Sequence, residues 1–235
     1  MACIMNRVEQ VSGAIEQDIR QCCWLPGDKL PGQLELMRRF EASRTCLREA
    51  ITLLEAKGLV TSRHGSGCYV NNLFESQFAS AFLGSTSGVE LDSAALQLSV
   101  MEMRLVLESE AAKYVCERAT YEQLARIDAE YKAMKTRKGS PLQRAKADLK
   151  FHMLIAQSSH NLIVVSLSQL LYTQFFNAIY GTLARTLSAP EEWVDHVSEQ
   201  HEAIYHAIMC RDAVAAQRAA SKHIQHSMSL LEGQG

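Results

Sequence analysis

Residues 93–232 form one long stretch of helix-favouring sequence, and this stretch limits the possible folds more than any other feature. Ala, Leu, Met, Glu and Gln dominate it, strand-like alternation is absent, and proline occurs in it only at Pro141 and Pro190. Such a stretch predicts several helices of ordinary length that bury their apolar stripes against one another. We therefore expect an all-α bundle over residues 93–235.

The N-terminal part combines helices with one short hairpin. Apolar residues recur at helical spacing over residues 5–23, and "LPGDKLPG" then ends that helix. We expect a second helix over 33–41, capped by Gly32, and a third from Arg44 to Lys57 that ends at Gly58. "LVTSR", "HGSG" and "CYVNN" follow in the order strand, turn, strand. Three helices followed by such a wing predict a winged helix-turn-helix over residues 1–74.

A change of composition separates these two parts. Residues 73–92, "LFESQFASAFLGSTSGVELD", are rich in Ser and Gly and have no clear periodicity. We therefore place a linker at residues 75–92. The predicted fold class is mostly α, with an N-terminal winged helix-turn-helix and a C-terminal all-α helical bundle.

The totals narrow the class of protein further. A net charge of −2 gives no sign of a polyanionic partner, so any nucleic-acid signal must be local. The seven cysteines are odd in number and never spaced as C-x-x-C, which argues against a disulfide framework and a thiolate zinc site. Neither a leader peptide nor a membrane span is evident. We expect a cytoplasmic protein with reduced thiols and no membrane partner.

The stretch "SRTCLRE" is the candidate DNA-reading surface. On a helix that begins at Arg44, the side chains of Arg44, Thr45 and Arg48 lie on the exposed N-terminal side. An arginine fork can bond a guanine edge at two points, and Ser43 or Thr45 can donate to a phosphate. Any single exposed arginine is more often merely solvated, so the interpretation depends on the whole arrangement.

The predicted wing adds to this surface. Its tip "RHGSG" places Arg63 and His64 beside Gly65, and glycine permits close approach to a DNA backbone or minor groove. Residues 1–74 carry nine Lys plus Arg against eight acids, whereas the remaining residues carry more acids than bases. Basic residues that concentrate on the helix pair and the wing indicate a duplex DNA partner.

The segment "LPGDKLPGQLELMRRFEASRTCLREAITLLEAKGLVTSRHGSGCYV" resembles the DNA-binding domain of the GntR family of bacterial transcription regulators. The resemblance implies that Arg44, Thr45, Arg48, His64 and Gly65 touch DNA. One departure stands out. The family commonly has Ser-Glu-Arg after the second proline of this segment, with the arginine on DNA, whereas this chain has Gly-Gln-Leu at positions 32–34.

Three histidines and one aspartate occupy apolar helix stripes in the C-terminal part. Asp148 and His152 are four residues apart in "DLKFHMLIA", and His201 and His223 lie on the apolar stripes of two later helices. If these helices pack as a bundle, one carboxylate and three imidazoles can meet, which suits Zn²⁺, with Ni²⁺ or Mn²⁺ as alternatives. A single such histidine is usually a hydrogen-bonded core or boundary residue, and we assign that role to the others, namely His160, His196, His206 and His226.

Over about 140 residues the C-terminal part resembles the FCD effector-binding domain of the FadR-type branch of the same family. In that branch a D-x-x-x-H helix and one histidine from each of two later helices bind a metal. The pattern falls on Asp148, His152, His201 and His223. The resemblance thus implies a metal cofactor at these four residues.

Arg104 lies inside an otherwise apolar helix, and two interpretations of it stay open. It can form a plain helix-surface ion pair with Glu108, four residues on. The family resemblance instead implies that it points into the effector cavity and holds a carboxylate at two points. The runs "FHMLIAQSSHNLIVV" and "EQHEAIYHAI" look most like regulators that respond to glycolate or lactate.

These features predict a homodimeric transcription regulator that grips an inverted-repeat operator and responds to a small carboxylate. One alternative is a regulator whose metal is purely structural, in a domain that only dimerises. Another is a metal-dependent enzyme, since an open three-histidine site can activate water. The absence of H-E-x-x-H disfavours the enzyme, and we do not expect catalysis.

Overall fold

The computed structural model describes residues 2–74, 94–136, 140–172, 175–176, 179–180 and 191–232. The chain divides into two compact units, Met1–Ser85 and Thr86–Gly235, and each is described by itself. The expected linker, residues 75–92, lies outside the described residues and stays a prediction. The predicted fold class is confirmed, because helices make up most of the described residues and a small hairpin follows the third helix.

The N-terminal unit consists of three helices and a two-stranded antiparallel sheet. Its elements are α1 (Ala2–Arg20), α2 (Gln33–Arg39), α3 (Arg44–Ala56), β1 (Val60–Arg63) and β2 (Gly67–Val70). The strands pair in the register Val60 with Val70 and Arg63 with Gly67. This is the order of a winged helix-turn-helix, in which the second helix of the pair is α3.

Helix α3 begins and ends where its capping residues require. The Ser43 hydroxyl accepts the Cys46 N–H at 3.2 Å, which satisfies one of the free donors of the first turn. Gly58 follows the helix with φ +70°, a conformation that suits glycine. Leu47 and Leu54 are buried as predicted, whereas Ile51 is only half-buried because it faces a cleft beside the wing.

Helix α1 supplies one wall of this unit's core. Its buried side chains follow helical spacing, and they are Val8, Val11, Ile15 and Ile19. They pack α1 against α3. Two surface ion pairs also tie α1 to its neighbours: Glu16 pairs with Lys57, directly after α3, at 2.6 Å, and Asp18 pairs with Arg39 of α2 at 2.7 Å. Helix α3, which carries the predicted DNA-reading surface, therefore packs against the long helix α1.

The described part of the C-terminal unit is entirely helical. Its elements are α4 (Ala94–Arg118), α5 (Tyr121–Thr136), α6 (Pro141–Ser158), α7 (Leu162–Leu170), α8 (Glu191–Met209) and α9 (Ala213–Glu232). Helix α4 packs against α6, α7, α8 and α9, and α8 also packs against α5 and α9. Within the described ranges, no helix combines the length and the apolarity that a membrane crossing demands.

A capping box fixes the start of α6. The Ser140 hydroxyl accepts the Gln143 N–H, the Gln143 side chain accepts the Ser140 N–H in return, and Pro141 opens the helix. Eight residues later the same helix carries Asp148, and one turn beyond that His152. Local sequence thus fixes the rotation with which α6 presents these two side chains to the bundle.

The burial of Leu54 gives a stability prediction for the N-terminal unit. Leu54 is fully buried, whereas its neighbour Leu53 is 39% exposed. Leu54→Ala removes packed methyl groups and leaves a cavity, so we expect it to lower the free energy of unfolding by about 2–5 kcal/mol. Leu53→Ala on the same helix is the control and loses far less. Urea unfolding followed by circular dichroism measures both, and equal losses would contradict the packing described here.

Candidate functional sites

Four side chains from three helices meet inside the C-terminal unit. Asp148 and His152 come from α6, His201 from α8 and His223 from α9. All four are buried, and each offers one ligand atom that lies within 4.8 Å of the others'. The structure therefore brings together the residues expected from the sequence, and the group could hold a metal ion. Their role as ligands stays a prediction.

The distances within this group suit a cation. The Nε2 atoms of His152 and His201 face each other at 3.2 Å, and His201 Nε2 lies 3.0 Å from an oxygen of Asp148. Two nitrogen ligands on a tetrahedral zinc ion stand roughly 3.3 Å apart, given Zn–N bonds of about 2.0–2.1 Å. The His152 and His201 nitrogens already have this spacing.

One buried oxygen in the group lacks a hydrogen-bond partner. Asp148 Oδ1 is fully enclosed and accepts no hydrogen bond from any residue that the structure describes. An unsatisfied buried carboxylate oxygen is costly, and a bound cation would offset that cost. Together with three imidazoles, this oxygen makes the residues fit a divalent ion of the borderline class, such as Zn²⁺.

Two further side chains orient the histidines, and the sequence interpretation missed them as parts of this site. Glu108 Oε2 lies 2.8 Å from His152 Nδ1, and Gln200 Oε1 lies 3.1 Å from His223 Nδ1. Each contact leaves the opposite ring nitrogen for the cluster. Glu108 had been noticed only as a partner of Arg104. No motif marked Gln200, although it directly precedes His201.

Arg104 is buried and paired at the same time. It is 2% exposed, and its guanidinium donates to Glu108 through Nε at 2.7 Å and through Nη2 at 3.3 Å. The ion pair considered from the sequence therefore exists, but it lies in the core, so the expectation of a helix-surface pair is wrong. The guanidinium also lies over the Phe175 ring at 5.7 Å.

The charge states follow from these contacts. Burial alone would raise the pKa of Glu108, but Arg104 and His152 outweigh it and hold that pKa at about 2. Burial also acts against ionised Asp148, yet the nearby histidines and Arg104 keep its pKa well below the usual range. Burial lowers the pKa of His223, and neighbouring positive groups lower it further. At neutral pH the site thus has two carboxylates and a neutral His223.

The N-terminal unit presents the predicted reading surface. Arg44, Thr45 and Arg48 are exposed on one side of α3, opposite the buried Leu47 and Leu54. Ser43, expected from the sequence to contact a phosphate, uses its oxygen to cap α3, and its hydroxyl hydrogen stays free to donate. The DNA contacts of these residues stay predictions.

A cleft of about 580 Å³ lies between α3 and the wing. Arg48, Arg63 and Gly65 line it, as does Lys29, which no motif had singled out. His64 is exposed at the turn. The Arg63 guanidinium lies over the Tyr69 ring at 4.7 Å, a cation–π contact that holds it on the wing.

Leu34 departs from the family pattern on the same side of the unit. It lies in the first turn of α2 and is 65% exposed. A leucine offers no hydrogen bond to a base edge or a phosphate. We therefore expect DNA contacts of this chain to come from α3 and the wing more than from the start of α2.

Comparisons with known proteins assign both units. Residues 7–70 match the family of bacterial regulatory proteins described as gntR, and residues 99–226 match the FCD domain. The transcriptional regulator LutR of Bacillus subtilis is 28% identical over 212 residues, covering 88% of this chain and 93% of the relative.

Two further similarities agree with this assignment. A putative L-lactate dehydrogenase operon regulatory protein of Escherichia coli is 26% identical over 198 residues, covering 84% of this chain and 76% of that protein. The solved structure of Streptococcus agalactiae GntR superposes with a TM-score of 0.52 at 26% identity, covering 94% of this chain and 98% of that one. These relatives are regulators and not enzymes.

The cluster geometry predicts the effect of removing one histidine. His201→Ala deletes the ring whose nitrogen lies nearest to both His152 and Asp148, so we expect the variant to lose bound metal. The rise in melting temperature that added Zn²⁺ gives the wild type should then disappear, because a ligand stabilises only the state that binds it. Elemental analysis and thermal unfolding measure the two effects.

His206→Ala is the matched control for this experiment. His206 lies on the same helix, is largely exposed and pairs with Glu202 at the surface. We expect this variant to keep both its metal and its thermal stabilisation by Zn²⁺. Full metal occupancy in His201→Ala would reject the ligand set.

Proposed function

The chain belongs to the gntR family of bacterial regulatory proteins and is a transcription regulator with an FCD domain, and we propose that this domain binds a divalent metal and a small carboxylate. Zn²⁺ is the ion that the donor set favours, with Ni²⁺ or Mn²⁺ as alternatives. A 2-hydroxyacid such as lactate or glycolate is the proposed effector. The buried cluster of Asp148 and three histidines beside Arg104 carries the proposal.

The charge balance of the cluster supports an anionic ligand. With the three histidines neutral, as metal ligands are, the Arg104 guanidinium and the carboxylates of Glu108 and Asp148 leave a net charge of −1 among these buried groups. A divalent ion would reverse this to +1. A single bound carboxylate would then neutralise the site, and buried charge is least costly when it is balanced.

The guanidinium of Arg104 has donors left for such a ligand. Glu108 takes the edge formed by Nε and Nη2, whereas Nη1 approaches the Met101 sulfur at 3.7 Å. The edge formed by Nη1 and Nη2 can therefore hold a second carboxylate at two points. The ion pair with Glu108 and a role in effector binding are thus compatible.

Two other features agree with a polar ligand beside the metal. Gln200 Nε2 is buried and has no hydrogen-bond partner among the described residues, as expected where a ligand would accept its hydrogen bond. A 2-hydroxyacid can chelate a metal through its hydroxyl and carboxylate oxygens. One of the relatives is named as a putative regulator of an L-lactate dehydrogenase operon.

We propose that two copies of the chain bind an inverted-repeat operator, each inserting α3 into the major groove. The groups proposed to touch DNA are Ser43, Arg44, Thr45, Arg48, Arg63, His64 and Gly65. The effector changes operator affinity only to the extent that it binds one arrangement of the dimer better than the other. A metal with a purely structural role would leave operator affinity unchanged at millimolar lactate and glycolate.

Replacing Arg48 tests the DNA half of the proposal. Loss of a two-point contact to a base edge should weaken specific operator binding by about 1–3 kcal/mol. Fluorescence anisotropy with a labelled operator, at fixed salt concentration, measures the change. Arg20→Ala is the control, because Arg20 is an exposed arginine of α1 bonded to Glu16 near the C-terminal end of α3. Unchanged affinity in Arg48→Ala would remove α3 from the major groove.

Replacing Arg104 tests the effector half. Arg104→Lys keeps the positive charge beside Glu108 but lacks the planar fork that binds a carboxylate at two points. At saturating Zn²⁺ we expect full metal occupancy and at least about tenfold weaker binding of L-lactate or glycolate, a loss of roughly 1.4 kcal/mol. Isothermal titration calorimetry gives both affinities. Wild-type affinity for the acid in this variant would contradict the role of Arg104.

A further inference from the structure

We propose that Glu108 is a positioning residue shared by the metal centre and by Arg104. Its carboxylate fixes His152 with Nε2 toward the ion and joins that histidine to the arginine that receives the effector. This inference rests on the proposed function and adds a residue that links its two ligands.

The contact with His152 decides which ring nitrogen faces the cluster. Ionised Glu108 can only accept hydrogen bonds, so His152 Nδ1, at 2.8 Å from Oε2, carries the hydrogen. In a neutral imidazole the other nitrogen then has a free lone pair. That nitrogen, Nε2, faces His201 at 3.2 Å. Glu108 thus presents His152 in the form that can bind a metal.

The same carboxylate of Glu108 also accepts hydrogen bonds from Arg104. Oε1 accepts from Arg104 Nε at 2.7 Å, and Oε2 accepts from Nη2 at 3.3 Å while it also accepts from His152. Both residues of the ion pair lie on α4, one helical turn apart, and both are buried. A shift of the guanidinium toward a bound carboxylate would therefore change the hydrogen bond that holds His152.

Gln200 shows how a histidine is oriented without such a link. Its Oε1 accepts from His223 Nδ1 at 3.1 Å, which is the same kind of support that Glu108 gives His152. Gln200 is neutral, and in the part of the chain that the structure describes no hydrogen bond joins it to an arginine. Both residues position a metal ligand, but only Glu108 connects one to Arg104. Arg104 should accordingly affect metal affinity even when no carboxylate is present.

The affinity for Co²⁺, measured by competition with a chelator in the absence of any carboxylate, tests this proposal. Loss of a residue that orients a metal-bound histidine typically weakens metal binding about 10- to 100-fold. We expect losses in this range for Glu108→Gln and for Gln200→Leu, and a smaller loss for Arg104→Lys. The Co²⁺ absorption spectrum of Glu108→Gln should also shift, because His152 turns relative to the ion.

Glu110→Gln is the matched control on the same helix. Glu110 accepts a hydrogen bond from Gln217 and lies near Lys113, so the substitution should leave Co²⁺ affinity and spectrum unchanged. If Glu108 only stabilised the fold, Glu108→Gln would lower the melting temperature by the same amount with and without Co²⁺. If Glu108 positions His152, Glu108→Gln instead shows a smaller rise in melting temperature on addition of Co²⁺ than the wild type.

A double variant allows the same test if Glu108→Gln does not fold. Glu108→Gln leaves Arg104 buried with a weakened partner, whereas the double change Arg104→Met with Glu108→Leu replaces the whole ion pair by apolar groups, which a core often tolerates. The double variant should also bind Co²⁺ about 10- to 100-fold more weakly.

The outcomes separate the two levels of the proposal. A wild type that binds no Co²⁺ would overturn the proposed function itself. A wild type that binds Co²⁺, together with Glu108 variants of equal affinity and unchanged spectrum, would overturn the positioning role and leave the proposed function standing. Unchanged affinity in Arg104→Lys alone would remove the link to the arginine.

Discussion

The burial of charge inside a bundle of helices is the constraint on which the C-terminal unit depends. Asp148, Glu108 and Arg104 are all withdrawn from water, and each would be unfavourable alone. Arg104 balances Glu108, Glu108 bonds His152, and Asp148 bonds His201 through one oxygen only. The other oxygen, Asp148 Oδ1, has no hydrogen-bond partner among the described residues, so the charge balance of this group would accommodate one more positive charge. The same atom is therefore a weak point of the fold and a ligand in the proposed metal site.

Much of this could be predicted from the sequence, because helical periodicity is a local property. The apolar stripes located α1 and α3, indicated that the C-terminal part is helical, and placed Asp148, His152, His201 and His223 on inward faces. Gly58 located the C-terminal end of α3. That three separate helices bring the four side chains to one point depends on packing, and only the family resemblance indicated it beforehand.

The partners of those side chains could not be predicted in the same way. Glu108 was visible as the residue four positions after Arg104, but the i+4 spacing alone is equally typical of a solvated pair. Its contact with His152 requires the packing of α4 on α6. Gln200 has no distinguishing pattern, since a glutamine beside a histidine is common on exposed helix faces. Similarly, the half-burial of Ile51 follows from the position of the wing, which periodicity within α3 does not contain.

Three helices supply the cluster, and His201 follows His152 by 49 positions, with His223 on the last described helix. An ion held by all three would act as a cross-link that closes long loops of the chain. Opening of α9 would then require a coordinate bond to break in addition to the loss of packing. The metal occupancy would therefore determine how often α9 opens. Limited proteolysis would report this difference even where the folded structure is unchanged.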